Sequence, residues 1–132
     1  MNPENLSLIR NYCDSVDSED ALQIELVAYD KETGLMDLAD LQAKIGDDVA
    51  AVMIENPTYL GVIETEGKRI GEIAKAAGAE FIVYADPISL GVLEAPAAYG
   101  ATIAVGDIHS VGLHLYAGGG QAGYIASLDD MK

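Results

Sequence analysis

Three short segments of this sequence combine an apolar run with polar residues that could bind a ligand. They are Glu55-Asn56-Pro57, Tyr84-Ala85-Asp86-Pro87 and Gly106-Asp107-Ile108-His109. Carboxylate, amide and imidazole groups can hydrogen-bond to a polar ligand or balance its charge. If the apolar runs are parallel strands, these segments lie beyond their carboxyl ends, where open α/β sheets bind ligands.

Asp86 and the two histidines each have a structural as well as a functional interpretation. A carboxylate directly after an apolar strand is costly unless it is paired or hydrogen-bonded. Asp86 can therefore serve a ligand or cap a short helix after Pro87, and the spacing leaves both roles open. His109 and His114 can equally be ordinary loop residues or core residues with satisfied hydrogen bonds.

Several familiar sites are absent from the sequence. There is no G-x-G-x-x-G segment opening a helix after a strand, and no Walker phosphate loop. The glycines at 118–120 precede a predicted strand, so they do not form a phosphate site at a helix N-terminus. His109 and His114 are five residues apart with no cysteine cluster, so we expect no metal site. Cys13 lies on a predicted apolar helix face and is expected to be a packing residue.

The hydrophobic pattern predicts alternating helices and strands that would position these residues. Helices are predicted from Asn2-Pro3 onward, from Asp37 to Gly46, at 65–77 before Gly78 and, as a short stretch, at 88–94. Strands are predicted at 22–29, 50–55, 80–86, 102–107 and 123–127. A loop is predicted at 14–20, and turns are predicted at 31–34 and 118–123.

This order of elements predicts an α/β fold. Strands separated by helices indicate βαβ units and right-handed crossovers. We expect a single domain over residues 1–132, with three layers: a mostly parallel sheet of about five strands and helices flanking it. The last two strands have no convincing helix between them, so one of them can run antiparallel.

Composition narrows the classes of function further. The 132 residues are 50% hydrophobic and carry a formal net charge of −15. This charge disfavours nucleic acid and anionic membranes as partners, because both need neutralisation by lysine and arginine. No apolar run reaches the roughly 18 residues of a membrane span. The single cysteine, Cys13, is typical of a reducing compartment, so a cytoplasmic location is expected.

Residues 80–126 resemble the P-protein of the glycine cleavage system, glycine dehydrogenase (decarboxylating). The similarity is carried by ADPISLG-x-L-x-x-P-x-x-YGA, an apolar strand ending in Gly-Asp, and a Gly-Gly-Gly loop. Upstream, AAVMIENPTYLGVIE and NPENLSLIRNYCD resemble further segments of the same family, so the resemblance covers nearly the whole chain. The segment is most similar to the α-subunit of the two-subunit form. The resemblance implies part of the large domain of a fold-type-I pyridoxal-phosphate (PLP) enzyme.

The resemblance also implies roles for individual residues. Asp86 matches the carboxylate that pairs with the pyridine nitrogen of PLP, and His109 matches the histidine of a His-Lys pair. Ser110 falls where catalytic members have the lysine that binds PLP covalently, and a serine hydroxyl cannot replace that bond. Asn56, in the matching Asn-Pro segment, is the third candidate for cofactor binding. No lysine lies between Lys75 and Lys132.

The implied parent decarboxylates glycine with PLP and passes an aminomethyl group to the lipoyl arm of H-protein. The implied partners are a catalytic β-type subunit and lipoylated H-protein, and a homo-oligomer is possible. PLP is expected in the parent assembly but not covalently on this chain, which is expected to be inactive by itself. Two alternatives stay open at this point: another fold-type-I relative, aminotransferase-like or cysteine-desulfurase-like, and a non-enzymatic binding module of flavodoxin-like shape.

Overall fold

The computed structural model describes residues 1–14, 22–114 and 120–128 of the chain. Its helices are α1 (Pro3–Asp14), α2 (Leu38–Lys44) and α3 (Gly67–Ala76). Its strands are β1 (Ala51–Glu55), β2 (Glu80–Tyr84), β3 (Ile103–Asp107) and β4 (Gly123–Ser127). Short 3₁₀ turns span Ser89–Gly91, Pro96–Tyr99 and His109–Val111.

The four strands form a single sheet in the order β1-β2-β3-β4. β1 is parallel to β2 and β2 is parallel to β3, whereas β3 and β4 are antiparallel. The prediction of an α/β fold with a mostly parallel sheet is therefore confirmed. The antiparallel return of β4 along β3 agrees with the prediction that one of the last two strands can run antiparallel.

The predicted strand at 22–29 is wrong, which leaves four strands among the described residues instead of about five. Only Tyr29 makes an isolated bridge, to Met36. The backbone of this segment is satisfied by α2 instead of by a neighbouring strand. The Ala28 N–H donates to the Asp40 carboxylate at 2.7 Å, and the Lys44 ammonium donates to the Leu26 carbonyl at 2.7 Å. Of its large apolar side chains, Leu22, Leu26 and Tyr29 are more than half exposed, and Val27 packs against the core.

One face of the sheet forms the core beneath α3. Val52 pairs with Phe81 and Ile54 with Val83, so these four side chains project to the same side. The apolar face of α3 packs against them through Ile70, which is fully buried. Each buried side chain of this size stabilises the fold by roughly 1.5–3 kcal/mol.

The end of α3 follows the sequence prediction closely. Gly78 adopts a φ of +76°, a left-handed conformation that glycine accepts without steric cost. The chain then turns directly into β2 at Glu80. Because a right-handed crossover from β1 through α3 returns to the sheet beside β1, the carboxyl ends of β1 and β2 meet at one edge.

The first turn of α1 contacts Glu55 at the end of β1, which alternates with Ile54 and so projects to the opposite side of the sheet. Asn2 caps α1, because its side-chain oxygen accepts from the Glu4 N–H at 2.9 Å. Glu55, at the end of β1, is 5% exposed and accepts from the Asn2 N–H at 2.6 Å and the Asn5 amide at 2.9 Å. These hydrogen bonds satisfy a buried carboxylate and attach the N-terminal helix to the sheet.

Two other predicted elements lie partly or largely outside the described residues, and a third is shorter than predicted. The loop at 14–20 lies outside the described residues except for Asp14, the last residue of α1, and the turn at 118–123 is described only from Gly120 onward. The short helical stretch at 88–94 is reduced to the 3₁₀ turn Ser89–Gly91. None of the helices in the described parts of the chain has both the length and the apolar character that a membrane crossing needs.

Candidate functional site

The three parallel strands bring their last residues together at one side of the sheet. We call this region, residues 55–57, 84–89 and 106–111, the carboxyl edge. Strand pairing continues one residue past the strands themselves: the Asn56 N–H donates to the Tyr84 carbonyl and the Ala85 N–H donates to the Val105 carbonyl, each at 2.9 Å. The backbone that carries the predicted site residues is therefore held by sheet hydrogen bonds.

Asp86 follows β2 directly, and one of its carboxylate oxygens makes two hydrogen bonds. Oδ1 accepts from the Ile88 N–H at 3.0 Å and from the Ser110 hydroxyl at 2.7 Å. The first bond is the turn-capping role that the sequence left open. The second links the end of β2 to the turn after β3. Within the described part of the chain, both of these donors contact Oδ1.

Ser110 is thus placed next to Asp86 in space although 24 residues separate them in sequence. Both residues were singled out from the sequence, one as the ring-nitrogen partner and the other at the position of the missing lysine. The structure brings these two positions into direct contact. A hydroxyl donor to a carboxylate makes a charge-assisted hydrogen bond, which is stronger than a neutral one.

His109 contacts a different carboxylate, that of Asp107. The ring Nδ1 of His109 lies 3.1 Å from Asp107 Oδ1, and the same oxygen accepts from the His109 backbone N–H at 3.1 Å. The second oxygen, Oδ2, accepts from the Tyr84 hydroxyl at 2.9 Å. Tyr84, Asp107 and His109 therefore form a continuous polar chain across the ends of β2 and β3.

The protonation of this chain follows from burial and hydrogen bonding. Burial raises the pKa of the Tyr84 hydroxyl to about 12, and the hydrogen bond to Asp107 contributes to the same shift. The hydrogen bond from Tyr84 lowers the pKa of the Asp107 carboxyl, with His109 adding to the effect. Tyr84 is thus a donor and Asp107 an ionised acceptor at neutral pH.

Asn56 lies at the carboxyl edge, but its side chain is used within the protein. It is buried, its Oδ1 accepts from the Glu64 N–H at 3.1 Å, and its Nδ2 donates to the Glu64 carbonyl at 3.3 Å. Glu64 in turn accepts from the Met36 N–H at 2.8 Å. Asn56 therefore closes the loop that follows β1. Cofactor binding by Asn56 stays a prediction.

A close approach of backbone and ring supports the segment that carries Asp86. The Tyr124 hydroxyl donates to the Ala85 carbonyl at 2.7 Å. A Cβ at Gly106 would overlap that carbonyl oxygen and would lie 2.7 Å from Tyr124 Cε1. Only glycine leaves room here for β2, β3 and β4 to come together. Gly106 and Tyr124 thus set the position of Ala85 relative to β3 and β4, and with it the position of Asp86, the next residue in the chain.

Exposed apolar side chains occur in the loops that follow the three parallel strands. Leu60, Val92 and Val111 are 77%, 91% and 65% exposed, and each belongs to a loop that follows one of the parallel strands. An open cavity of about 250 Å³, lined by Ile108, Val111, Gly112 and Leu113, lies beside the turn that contains His109. In the described ranges, no group of three or more histidine, cysteine, aspartate or glutamate residues is arranged to hold a metal ion.

Tyr84 and Asp107 were not predicted as site residues, although both lie in segments noted for their polar ends. A signal was present: each is the last residue of its strand, on neighbouring parallel strands. The sequence does not reveal the register in which β2 pairs with β3. Tyr84 pairs with Val105, and this pairing sets Asp107 within reach of the Tyr84 hydroxyl.

Comparison with known proteins gives consistent matches in sequence and in structure. A family model described as the glycine cleavage system P-protein matches residues 2–132. The probable glycine dehydrogenase (decarboxylating) subunit 1 of Staphylothermus marinus is 42% identical over 132 residues, which cover 100% of this chain and 27% of that protein. The corresponding protein of Pyrococcus abyssi is 40% identical over 130 residues, covering 98% of this chain and 28% of that one.

The fold has a solved counterpart with related sequence. A crystal structure described as glycine decarboxylase (P-protein) of the glycine cleavage system, in inhibitor-bound form, aligns with a TM-score of 0.79 and 38% sequence identity. The alignment covers 95% of this chain and 26% of that chain. The chain thus spans about a quarter of the length of the relatives that it matches.

Proposed function

Because the chain belongs to the glycine cleavage system P-protein family, we propose that it is part of the large domain of a subunit-1-type glycine decarboxylase. The proposed activity of the complete protein is PLP-dependent glycine decarboxylation, followed by transfer of the aminomethyl group to lipoylated H-protein. The family match over residues 2–132 favours this function over another fold-type-I relative and over a flavodoxin-like binding module.

The carboxyl edge fits one end of PLP and not the other. Asp86 offers a carboxylate oxygen to a protonated ring nitrogen, while its other oxygen is held by the Ile88 N–H and the Ser110 hydroxyl. At the position of the covalent anchor the chain has Ser110, which cannot bind the cofactor through an amine. The proposal therefore assigns this chain a non-covalent contact, and it assigns the chain no activity by itself.

The single observation that carries the proposal is the position of Asp86 at the carboxyl edge, fixed by two donors. When bound, PLP supplies the electron sink for loss of CO₂ from glycine. Asp86 keeps the ring nitrogen protonated, and because its carboxylate is already oriented, it need not rearrange when the ligand binds. His109 supplies a second contact, and Asn56, whose side chain also closes the loop after β1, is the third proposed cofactor-binding residue.

The proposal also names partner proteins and a cellular location for this chain. The relatives are named subunit 1, which supports a second subunit that carries the catalytic lysine. Lipoylated H-protein is the proposed acceptor of the aminomethyl group. We also propose a cytoplasmic location, supported by the single cysteine, and self-association of the chain is to be decided by sedimentation.

The proposal is tested by Asp86→Asn in the complete subunit, assembled with its partner subunit. Asparagine keeps the shape of the side chain but removes its charge, so the ring nitrogen loses an ionic partner. A charged hydrogen bond contributes roughly 1.5–3 kcal/mol, so the affinity for PLP should fall by about tenfold or more. The measurement is a PLP titration followed by absorbance, with the free energy of unfolding recorded for the same samples.

Asp47→Asn is the matched control, because Asp47 is exposed in the turn before β1, at the other end of that strand. It should leave PLP affinity unchanged. Equal affinities for wild type and Asp86→Asn would overturn the role of Asp86. A loss of affinity in both variants would point to net charge and not to this carboxylate.

A further inference from the structure

We propose that Asp107, held by Tyr84, is a positioning residue that fixes the ring of His109 with its proton on Nδ1, so that Nε2 is left as a hydrogen-bond acceptor. The use of that acceptor by the cofactor or substrate rests on the proposed function. The tautomer itself is a property of this chain and can be measured without any ligand.

The first step is that the Asp107 carboxylate is fixed before His109 contacts it. Oδ2 accepts from the Tyr84 hydroxyl at 2.9 Å, and Tyr84 is half-buried at the end of β2. Asp107 is the last residue of β3, whose pairing with β2 holds both side chains in register. The carboxylate therefore presents Oδ1 at a defined place.

The second step assigns the proton. An ionised carboxylate can only accept hydrogen bonds, and Asp107 is ionised at neutral pH because its pKa is lowered. Nδ1 of His109 lies 3.1 Å from Oδ1. If Nδ1 were unprotonated, its lone pair would face the lone pairs of the oxygen and repel them. The contact is favourable only when Nδ1 carries the proton, and in the neutral ring Nε2 is then the acceptor.

The third step is that the turn carrying His109 is anchored at two carboxylates. The His109 backbone N–H donates to Asp107, and the next residue, Ser110, donates through its hydroxyl to Asp86. The carboxylates of Asp107 and Asp86 therefore each accept a hydrogen bond from this turn. Asp107 orients the ring of His109, whereas Asp86 holds the backbone that follows it.

The consequence concerns the kind of ligand group that His109 can meet. With Nδ1 occupied by Asp107, the neutral ring can accept a hydrogen bond at Nε2 but cannot donate one there. A hydroxyl or ammonium group of the ligand is therefore the favoured neighbour, and a carboxylate or phosphate is disfavoured. Asp107 and Tyr84 would act on the ligand only through His109.

The experiment is ¹⁵N-histidine labelling of the 132-residue chain, read by long-range proton–nitrogen correlation at about pH 8, above the ordinary histidine pKa. In the wild type, Nδ1 of His109 should resonate as the protonated nitrogen and Nε2 as the unprotonated one. Asp107→Ala removes the acceptor and should abolish that pattern. Asp107→Asn keeps an acceptor oxygen and should restore it at least in part, which a purely structural role would not require.

His114 is the internal control, because the described residues give its ring no polar contact, and its pattern should be the same in every variant. Wild-type His109 with its proton on Nε2 would overturn the proposal, whether or not the variants fold. An unchanged His109 pattern in a folded Asp107→Ala would also overturn it. The expected tautomer would support the positioning role, and only an absence of response to added PLP in the complete subunit, assembled with its partner, would count against the cofactor contact.

Discussion

The sheet face beneath α3 and the carboxyl edge of the same sheet are built from different interactions. Beneath α3, Phe81 is 1% exposed and Ile70 and Val83 are fully buried. At the carboxyl edge, the side chains of Asp107 and His109 are 48% and 42% exposed, and short polar contacts hold them in place. Stability is thus concentrated in the core, whereas the edge gains order from hydrogen bonds that water can partly replace.

Because of this difference, side chains at the carboxyl edge can be replaced with little loss in the free energy of unfolding. The hydrogen bond from Ser110 to Asp86 is exposed, so a change of side chain at position 110 should cost the fold little. The apolar side chain of Val92 can also be changed at little cost to stability, since it is 91% exposed and gains little from burial in this chain. Truncations in the two regions should therefore differ in cost by several kcal/mol.

The largest expected effect is that of Phe81→Ala. It removes a ring buried in the core, so the free energy of unfolding should fall by about 3–5 kcal/mol. Val92→Ala is the matched truncation in the loop that continues from the carboxyl edge after β2, and it should change stability by less than about 0.5 kcal/mol. Urea unfolding of both variants, with slopes compared to the wild type, measures the contrast. Similar losses in both would show that the two regions are not distinct.

Gly106→Ala tests the one backbone position at the carboxyl edge that should behave like the core. The added Cβ would overlap the Ala85 carbonyl oxygen, so strands must shift, at a cost of about 1–3 kcal/mol. Gly91→Ala is the control, because a Cβ there meets no heavy atom within 4 Å. It should stay within about 1 kcal/mol of the wild type. Equal stability of the two variants would contradict the tight approach of β2, β3 and β4.

Tyr84→Phe should have the smallest effect on stability, and the size of this effect should depend on pH. It removes the hydroxyl that bonds to Asp107, at a cost of about 1 kcal/mol near neutral pH. Because the pKa of Asp107 is lowered in the folded state, its share of this stabilisation is lost as pH falls below about 4. Because the pKa of Tyr84 is raised to about 12, its share is lost as pH rises from about 10.

The difference in unfolding free energy between wild type and Tyr84→Phe should therefore form a plateau at neutral pH and shrink on both sides. Denaturant melts across the pH range measure it. Tyr59→Phe, at an exposed tyrosine in the loop after β1, should show no such plateau. A difference that is constant with pH would mean that the hydroxyl does not interact with an ionised Asp107.

Most regular elements could be predicted because their signals are local. Asp37 caps α2 with bonds to the Ala39 and Asp40 N–H groups, and Gly78 ends α3, as their residue types indicate. The family resemblance, carried by an ordered series of motifs, is confirmed in the same way, because motif order is a property of sequence. The strand predicted at 22–29 failed because an apolar run alone does not supply a pairing partner: Leu22, Leu26 and Tyr29 are more than half exposed, and only Tyr29 forms a bridge.

The sequence by itself determined the composition of the carboxyl edge: a carboxylate after β2, and a histidine followed by a serine after β3. Only the tertiary structure decided which of these groups touch. It pairs Ser110 with Asp86 and His109 with Asp107, and it recruits Tyr84, which sequence reasoning did not select. The physical reason is register, because hydrogen bonds act over about 3 Å and a shift of one residue between β2 and β3 would separate Ser110 from Asp86 and Tyr84 from Asp107.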